Sequence, residues 1–168
     1  AAEADGLLVY IPMGGSTLEL WTNRLEGLDI AEVHILDRDN PPPGEPKYQS
    51  AADRVNARGQ KAFITNQREM ENYIHYEAIN DEFGLTLTAG FSDFDDVPTI
   101  IAKAVHEESD SEVHWDDVSD KKQRQKESKA KKRLNRGAVD NMSLLRLAEI
   151  DPHDEVLTWV KEISTHLD

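Results

Sequence analysis

Asp37-Arg38-Asp39 sets two carboxylates two residues apart, directly after the apolar run Val33-His34-Ile35-Leu36. Carboxylate oxygens are the preferred ligands of hard cations such as Mg²⁺ and Mn²⁺. A pair at the end of a central strand stands on a rigid support, at the edge of a parallel sheet where ligands bind. The competing role for such a pair is helix capping or turn chemistry. Spacing alone decides little, because 33 of 168 residues are acidic and paired carboxylates arise often by chance. Arg68-Glu69-Met70-Glu71 follows the next strand-like run, so a third carboxylate falls at the same edge. On a helix Glu69 and Glu71 point in roughly opposite directions, and at most one of them faces the pair.

A phosphodiester brought to such acids is repelled unless cations offset the charge. Residues 121–136 (KKQRQKESKAKKRLNR) supply them, with nine Lys or Arg and one Glu. Lys129, Lys131 or Lys132 could neutralise a phosphate in the transition state, with Arg133 beside them on nucleic acid. The competing reading of this run is a solvated or disordered charge segment. The remainder of the chain is strongly acidic, for a formal net charge of −14, and this asymmetry says more than the sum. Gly14-Gly15 is a turn or a phosphate contact. The six histidines are scattered without ligand spacing and read as structural or surface residues. Without cysteine the chain has no disulfide, thiolate metal site or thiol nucleophile. No G-x-S-x-G, Walker A or G-x-G-x-x-G motif occurs.

The elements that must position these groups follow an α/β pattern. Leu7-Leu8-Val9-Tyr10-Ile11-Pro12 reads as a buried strand, Gly14-Gly15-Ser16-Thr17 as a turn and helix cap, and Leu18 to Leu28 as a helix. Glu32 to Leu36 is a strand, Asn40 to Pro46 a loop beside the acid pair, Ala51 to Arg58 a helix closed by Gly59, and Lys61 to Thr65 a strand. Two strand-helix-strand passages with short links predict a parallel sheet. A helix is expected from Gln67 or Arg68, with Met70, Ile74 and Ala78 on one stripe. Phe91 to Pro98 reads as a loop, Thr99 to His106 as a helix and Glu107 to Asp120 as an acidic linker. A final helix has Asp151 as N-cap, Pro152 at its first position, and Val156, Val160, Ile163 and Leu167 on its buried face. The length suits one domain. No apolar run spans a membrane and no signal peptide is visible, so a soluble, cytoplasmic protein is expected. The missing initiator methionine suggests a piece of a longer chain.

The order strand-G-G-S-T-L, H-I-L-D-R-D, T-N-Q-R-E-M-E-N-Y-I-H, K-R-L-N-R-G-A-V and D-P-H-D-E-V-L-T-W-V resembles the TOPRIM domain of OLD (overcoming lysogenisation defect) family and related ATPase-linked nucleases. The resemblance covers most of the chain and is sharpest at Asp37-Arg38-Asp39 and Glu69-Met70-Glu71-Asn72-Tyr73. It implies a Rossmann-like, mostly parallel sheet flanked by helices, lacking its first strand-helix unit and the metal-binding glutamate of that unit. Residues 1–80 would form the core, 81–120 a helical and loop insertion, and 121–168 a basic segment and helices completing the domain. Asp37 and Asp39 would bind Mg²⁺ or Mn²⁺, Glu71 or Glu69 would complete the shell, with Glu71 favoured, and Lys131 or Lys132 would be the phosphate lysine. The implied function is two-metal cleavage of DNA, coupled to an ATPase domain and carried out by a homo-oligomer, in a setting of phage defence. The isolated chain is expected to cleave poorly. Two alternatives stay open: a phosphohydrolase with Asp37 as nucleophile and Asp39 as acid/base, and a non-catalytic assembly module.

Overall fold

A computed structural model describes residues 2–13, 18–28, 30–109 and 111–167. Its elements run α1 (Leu18–Arg24), β1 (Val33–Leu36), α2 (Gln49–Ala57), β2 (Lys61–Ile64), α3 (Tyr76–Phe83), α4 (Val97–Glu107), α5 (Asp120–Arg133), α6 (Leu144–Ile150) and α7 (Glu155–Ser164). The two strands pair in parallel, from Val33 opposite Lys61 to Leu36 opposite Ile64, so the chain is mixed α/β. The intervening α2 lays Ala51, Ala52 and Val55 on the pair, where they bury with Leu18, Leu36 and Ala62. Small residues there let the helix approach the sheet closely. At the foot of β1, Glu32 accepts hydrogen bonds from Arg58 at 2.7 Å and His34 at 2.8 Å, and Arg58 also donates to the Thr22 carbonyl. His34 is thereby a structural residue.

The expected strand Leu7–Pro12 does not form. The segment has no strand assignment, and Leu7, Val9 and Tyr10 are exposed. An apolar run makes a strand only where a neighbouring backbone takes its hydrogen bonds, and the sheet among the described residues consists of β1 and β2 alone. The expected Gly14-Gly15 turn and its cap lie outside the described residues. The first helix stops at Arg24, leaving Leu28 exposed.

A second apolar cluster lies in the C-terminal part, built from Ile74, Ala78 and Ile79, from Val97, Ile101 and Ala102, and from Trp115, Ala130, Leu134 and Ala138. Residues 107–120 are therefore more than a linker: Trp115 and Val118 are buried and anchor the segment. The basic run is helical, with most of its side chains exposed. It is α5, packed along α4 through Ala130 and continued by a π-helical turn over Leu134–Ala138 whose Leu134 and Ala138 are fully buried.

The terminal helix starts three residues later than expected, with Pro152 in the preceding turn. Asp151 still caps it, accepting from the amides of Glu155 at 2.9 Å and Val156 at 2.8 Å. The buried anchor is Trp159, edge-on to Tyr73 at 5.4 Å, while Val160 is exposed. Among the described residues no helix is long and apolar enough to cross a membrane.

Candidate metal and phosphate site

Thr65 locks the two strand exits together. Its amide donates to the Leu36 carbonyl at 2.9 Å, while its hydroxyl accepts from the Arg38 amide at 2.9 Å and donates to the Gln67 carbonyl at 2.7 Å. The chain leaving β1 is pinned again where the Asp39 amide donates to the Arg68 carbonyl at 2.9 Å. Asp37 therefore stands at a fixed point, one Oδ1 accepting from the Met70 amide at 3.2 Å. Asp39 has a left-handed backbone (φ 58) that turns the chain sharply, and its carboxylate is taken by Lys47 at 2.7 Å. The loop that leads to Lys47 is held by hydrogen bonds: Asn40 donates to the Glu45 carbonyl at 3.0 Å and the Lys47 amide to the Arg38 carbonyl at 3.1 Å.

The helix expected from residue 67 is replaced by an extended Glu69 (φ −153, ψ 170), a single 3₁₀ turn over Met70–Tyr73 and an extended Ile74, and α3 begins only at Tyr76. The geometric argument that at most one of Glu69 and Glu71 can face inward fails with it. Both carboxylates reach the same cation: Lys131 Nζ lies 2.6 Å from Glu69 Oε2 and 3.2 Å from Glu71 Oε1. Glu71 is 1 % exposed and also accepts from Asn135 Nδ2, which in turn donates to the Lys131 carbonyl at 3.0 Å. The π-helical turn places Asn135 over Glu71; such turns recur at functional sites because they re-aim side chains.

The electrostatics are those of an acidic cluster short of positive charge. Burial pushes the Asp37 carboxyl above the ordinary carboxylate range; Glu69 and Asp39 add to the rise while Lys131 opposes it. Burial and neighbouring Glu71 push Glu69 the same way against the hydrogen bond from Lys131. For Lys131 burial works against the ammonium, but the hydrogen bond to Glu69 and the charge of Glu71 outweigh it and hold its pKa above that of an ordinary lysine. The donor set is all oxygen, which suits Mg²⁺ or Mn²⁺. As the side chains stand, lysines take those oxygens, and among the described residues no three acid or histidine side chains converge to hold a cation.

Of the residues singled out from sequence, Glu69, Glu71 and Lys131 meet; Asp37 is bonded to the Met70 amide between the two glutamates, and Asp39 pairs with Lys47. Lys129 and Lys132 do not join them; they line an open groove of about 850 Å³ along α5. Arg133 is spent elsewhere, paired with Glu82 at 2.7 Å and stacked on Phe83 at 4.1 Å. Gly14 and Gly15 lie outside the described residues. Sequence reasoning missed Asn135, Lys47 and the Asp93–Asp96 loop. That loop accepts the Arg68 amide at the Asp93 carbonyl (2.7 Å) and the Arg68 guanidinium at Asp96 (2.9 Å). Asn135 had one legible signal, its place four residues after Lys131, one helical turn away. His75 and His106 are structural, bonded to Glu149 and to the Val113 carbonyl. Comparison of the chain with protein-family models, curated proteins and solved structures finds no significant match.

Proposed function

We propose that this chain carries the metal-dependent phosphodiester-hydrolysing site of a TOPRIM-type nuclease, acting on DNA within an ATPase-coupled, OLD-like enzyme. The supporting observation is that Lys131, from a helix 62 residues further along the chain, pairs with both Glu69 and Glu71 past the exit of two parallel strands, where Asp37 accepts from the Met70 amide between them. Surface ion pairs do not usually draw a buried glutamate, an asparagine and a lysine to one strand edge, whereas phosphoryl transfer needs acids to hold metal and a cation to meet phosphate.

Asp37, Asp39 and Glu69 would hold Mg²⁺ or Mn²⁺, which when bound supplies charge stabilisation at the phosphoryl oxygens and a water acidic enough to attack near neutral pH. Lys131 would turn its ammonium from the glutamates to a non-bridging phosphate oxygen. Glu71, buried behind it, keeps that ammonium charged, and Asn135, at the surface, holds the Glu71 carboxylate in place. The Thr65 lock keeps Asp37 from moving as the phosphate arrives. A fuller Rossmann-like sheet, a second metal, an ATPase domain and a homo-oligomer belong to the same proposal.

Thermal unfolding with millimolar Mn²⁺ against chelator tests the metal site, since a ligand of the native state raises the midpoint. A rise is expected for the wild type and none for Asp37→Ala combined with Asp39→Ala. No rise in either would sink the metal-dependent reading, and an equal rise in both would move the cation away from these carboxylates.

A further inference from the structure

Helix α5 separates two hollows. On one side is the open groove of about 850 Å³ lined by Lys121, Gln125, Lys129 and Lys132. On the other is a smaller, similarly open hollow of about 250 Å³ whose wall includes Arg68, Glu69, Thr99 and Lys131, and which therefore borders the carboxylate cluster. Arg124 and Ser128 line both hollows, one helical turn apart. Among the described residues the Arg124 side chain forms no ion pair, whereas Lys131 and Arg133 on the same helix both do. Its guanidinium fork is free for a phosphate, for which its planar donors are matched. Ser128 and Thr99 add hydroxyl groups of the kind that bind phosphate and sugar oxygens. Asp120 in the groove, and Asp96 and Glu127 beside Glu69 in the smaller hollow, are the acids that a passing strand must avoid.

We propose that α5 is the crest of a track for a single nucleic-acid strand, which crosses from groove to cavity at Arg124 and Ser128 and so delivers one phosphate to the carboxylates. The proposal rests on the nuclease reading and narrows its substrate. The smaller hollow, about 250 Å³, is below the roughly 300–1,000 Å³ of drug-sized pockets, so it has room for about one nucleotide unit and not for the width of a duplex. The strand that reaches Glu69 is unpaired, either single from the start or opened from a duplex.

Fluorescence anisotropy of the whole chain with a labelled oligonucleotide of about twelve nucleotides, single-stranded and as duplex, tests this over a salt series. The wild type binds the single strand more tightly. Arg124→Ala weakens that binding about fivefold to tenfold and lowers the salt slope by about 0.7, one phosphate contact on a single strand. Arg124→Lys restores the slope. Lys122→Ala removes the same charge from an exposed position on α5 that lines neither hollow, and stays within about twofold of wild type. Circular dichroism checks that each variant keeps its helices. Equal losses for Arg124→Ala and Lys122→Ala, preference for duplex, or no binding at all would overturn the track. Manganese stabilisation separates the two readings: kept while Arg124→Ala has no effect, it leaves the metal site and removes the track; lost while the Arg124 effect stands, it does the reverse.

Discussion

Lys131 shares its ammonium between two glutamates, one of them almost wholly buried. Removing it leaves Glu69 and Glu71 facing each other uncompensated. Breaking a fully buried pair costs about 3–5 kcal/mol. The Lys131 side chain is 46 % exposed, so solvent screening reduces the expected loss for Lys131→Ala to about 1–2 kcal/mol in urea unfolding. The same variant vacates the space that a divalent cation would share. Its manganese-induced rise in melting temperature is therefore expected to exceed that of the wild type, and a smaller rise would show that lysine and metal do not compete. Asn135→Ala removes a hydrogen bond to the Glu71 carboxylate that Lys131 also meets and is expected to lower stability without changing the metal response.

Helix α7 is clamped to the strand edge by one carboxylate. Glu155 accepts from the Asn66 amide at 3.0 Å and from the Tyr73 hydroxyl, and Gln67 Nε2 donates to the Ile150 carbonyl at 2.9 Å beside it. Burial raises the Glu155 pKa above its ordinary 4.5; the charge of Asp151 adds to the rise, and the bonds from Tyr73 and Asn66 oppose it. The folded state thus holds this proton more tightly than the unfolded one. The resulting stability is fully present below about pH 4.5 and is lost as pH rises through the folded value. Glu155→Gln cannot ionise, so the stability of wild type minus that of Glu155→Gln should fall as pH climbs above 4.5; a flat difference would refute the assignment. Elements of this kind were partly legible. The run Val33–Leu36 before Asp37, the closing Gly59 (φ 82) and the Lys61–Ile64 strand stand where local pattern put them. The stripe Met70, Ile74, Ala78 misled, because helical spacing also arises when apolar residues of a 3₁₀ turn, an extended segment and a new helix fall at that interval by chance. Met70, the first of that stripe, is 38 % exposed. That error hid the joint approach of Glu69 and Glu71, and only the fold of α5, whose sequence has almost no apolar face, and of the π-helical turn after it shows which of the candidate lysines meets them with Asn135 beside it.

Across the whole molecule the apolar residues divide into a larger cluster around α3, α4 and α5 and a smaller one around β1, β2 and α2. Regions with fewer buried contacts open at lower free energy. Hydrogen exchange should therefore find the amides of α4 and α5 protected longest and those of β1 and β2 released earlier; the reverse order would mean that the parallel pair, not the helical cluster, is the stable unit. Glu69 and Glu71 lie in the chain between the two clusters, and their cation comes from 62 residues later. During synthesis at about 5–20 residues per second, those glutamates leave the ribosome about 3–12 s before Lys131 does. Burying them without it carries the desolvation penalty of unpaired charge, so the segment after β2 must wait in solvent. The lysine that meets the glutamates is also the timer of assembly: the acidic edge closes only when the far helix has been made.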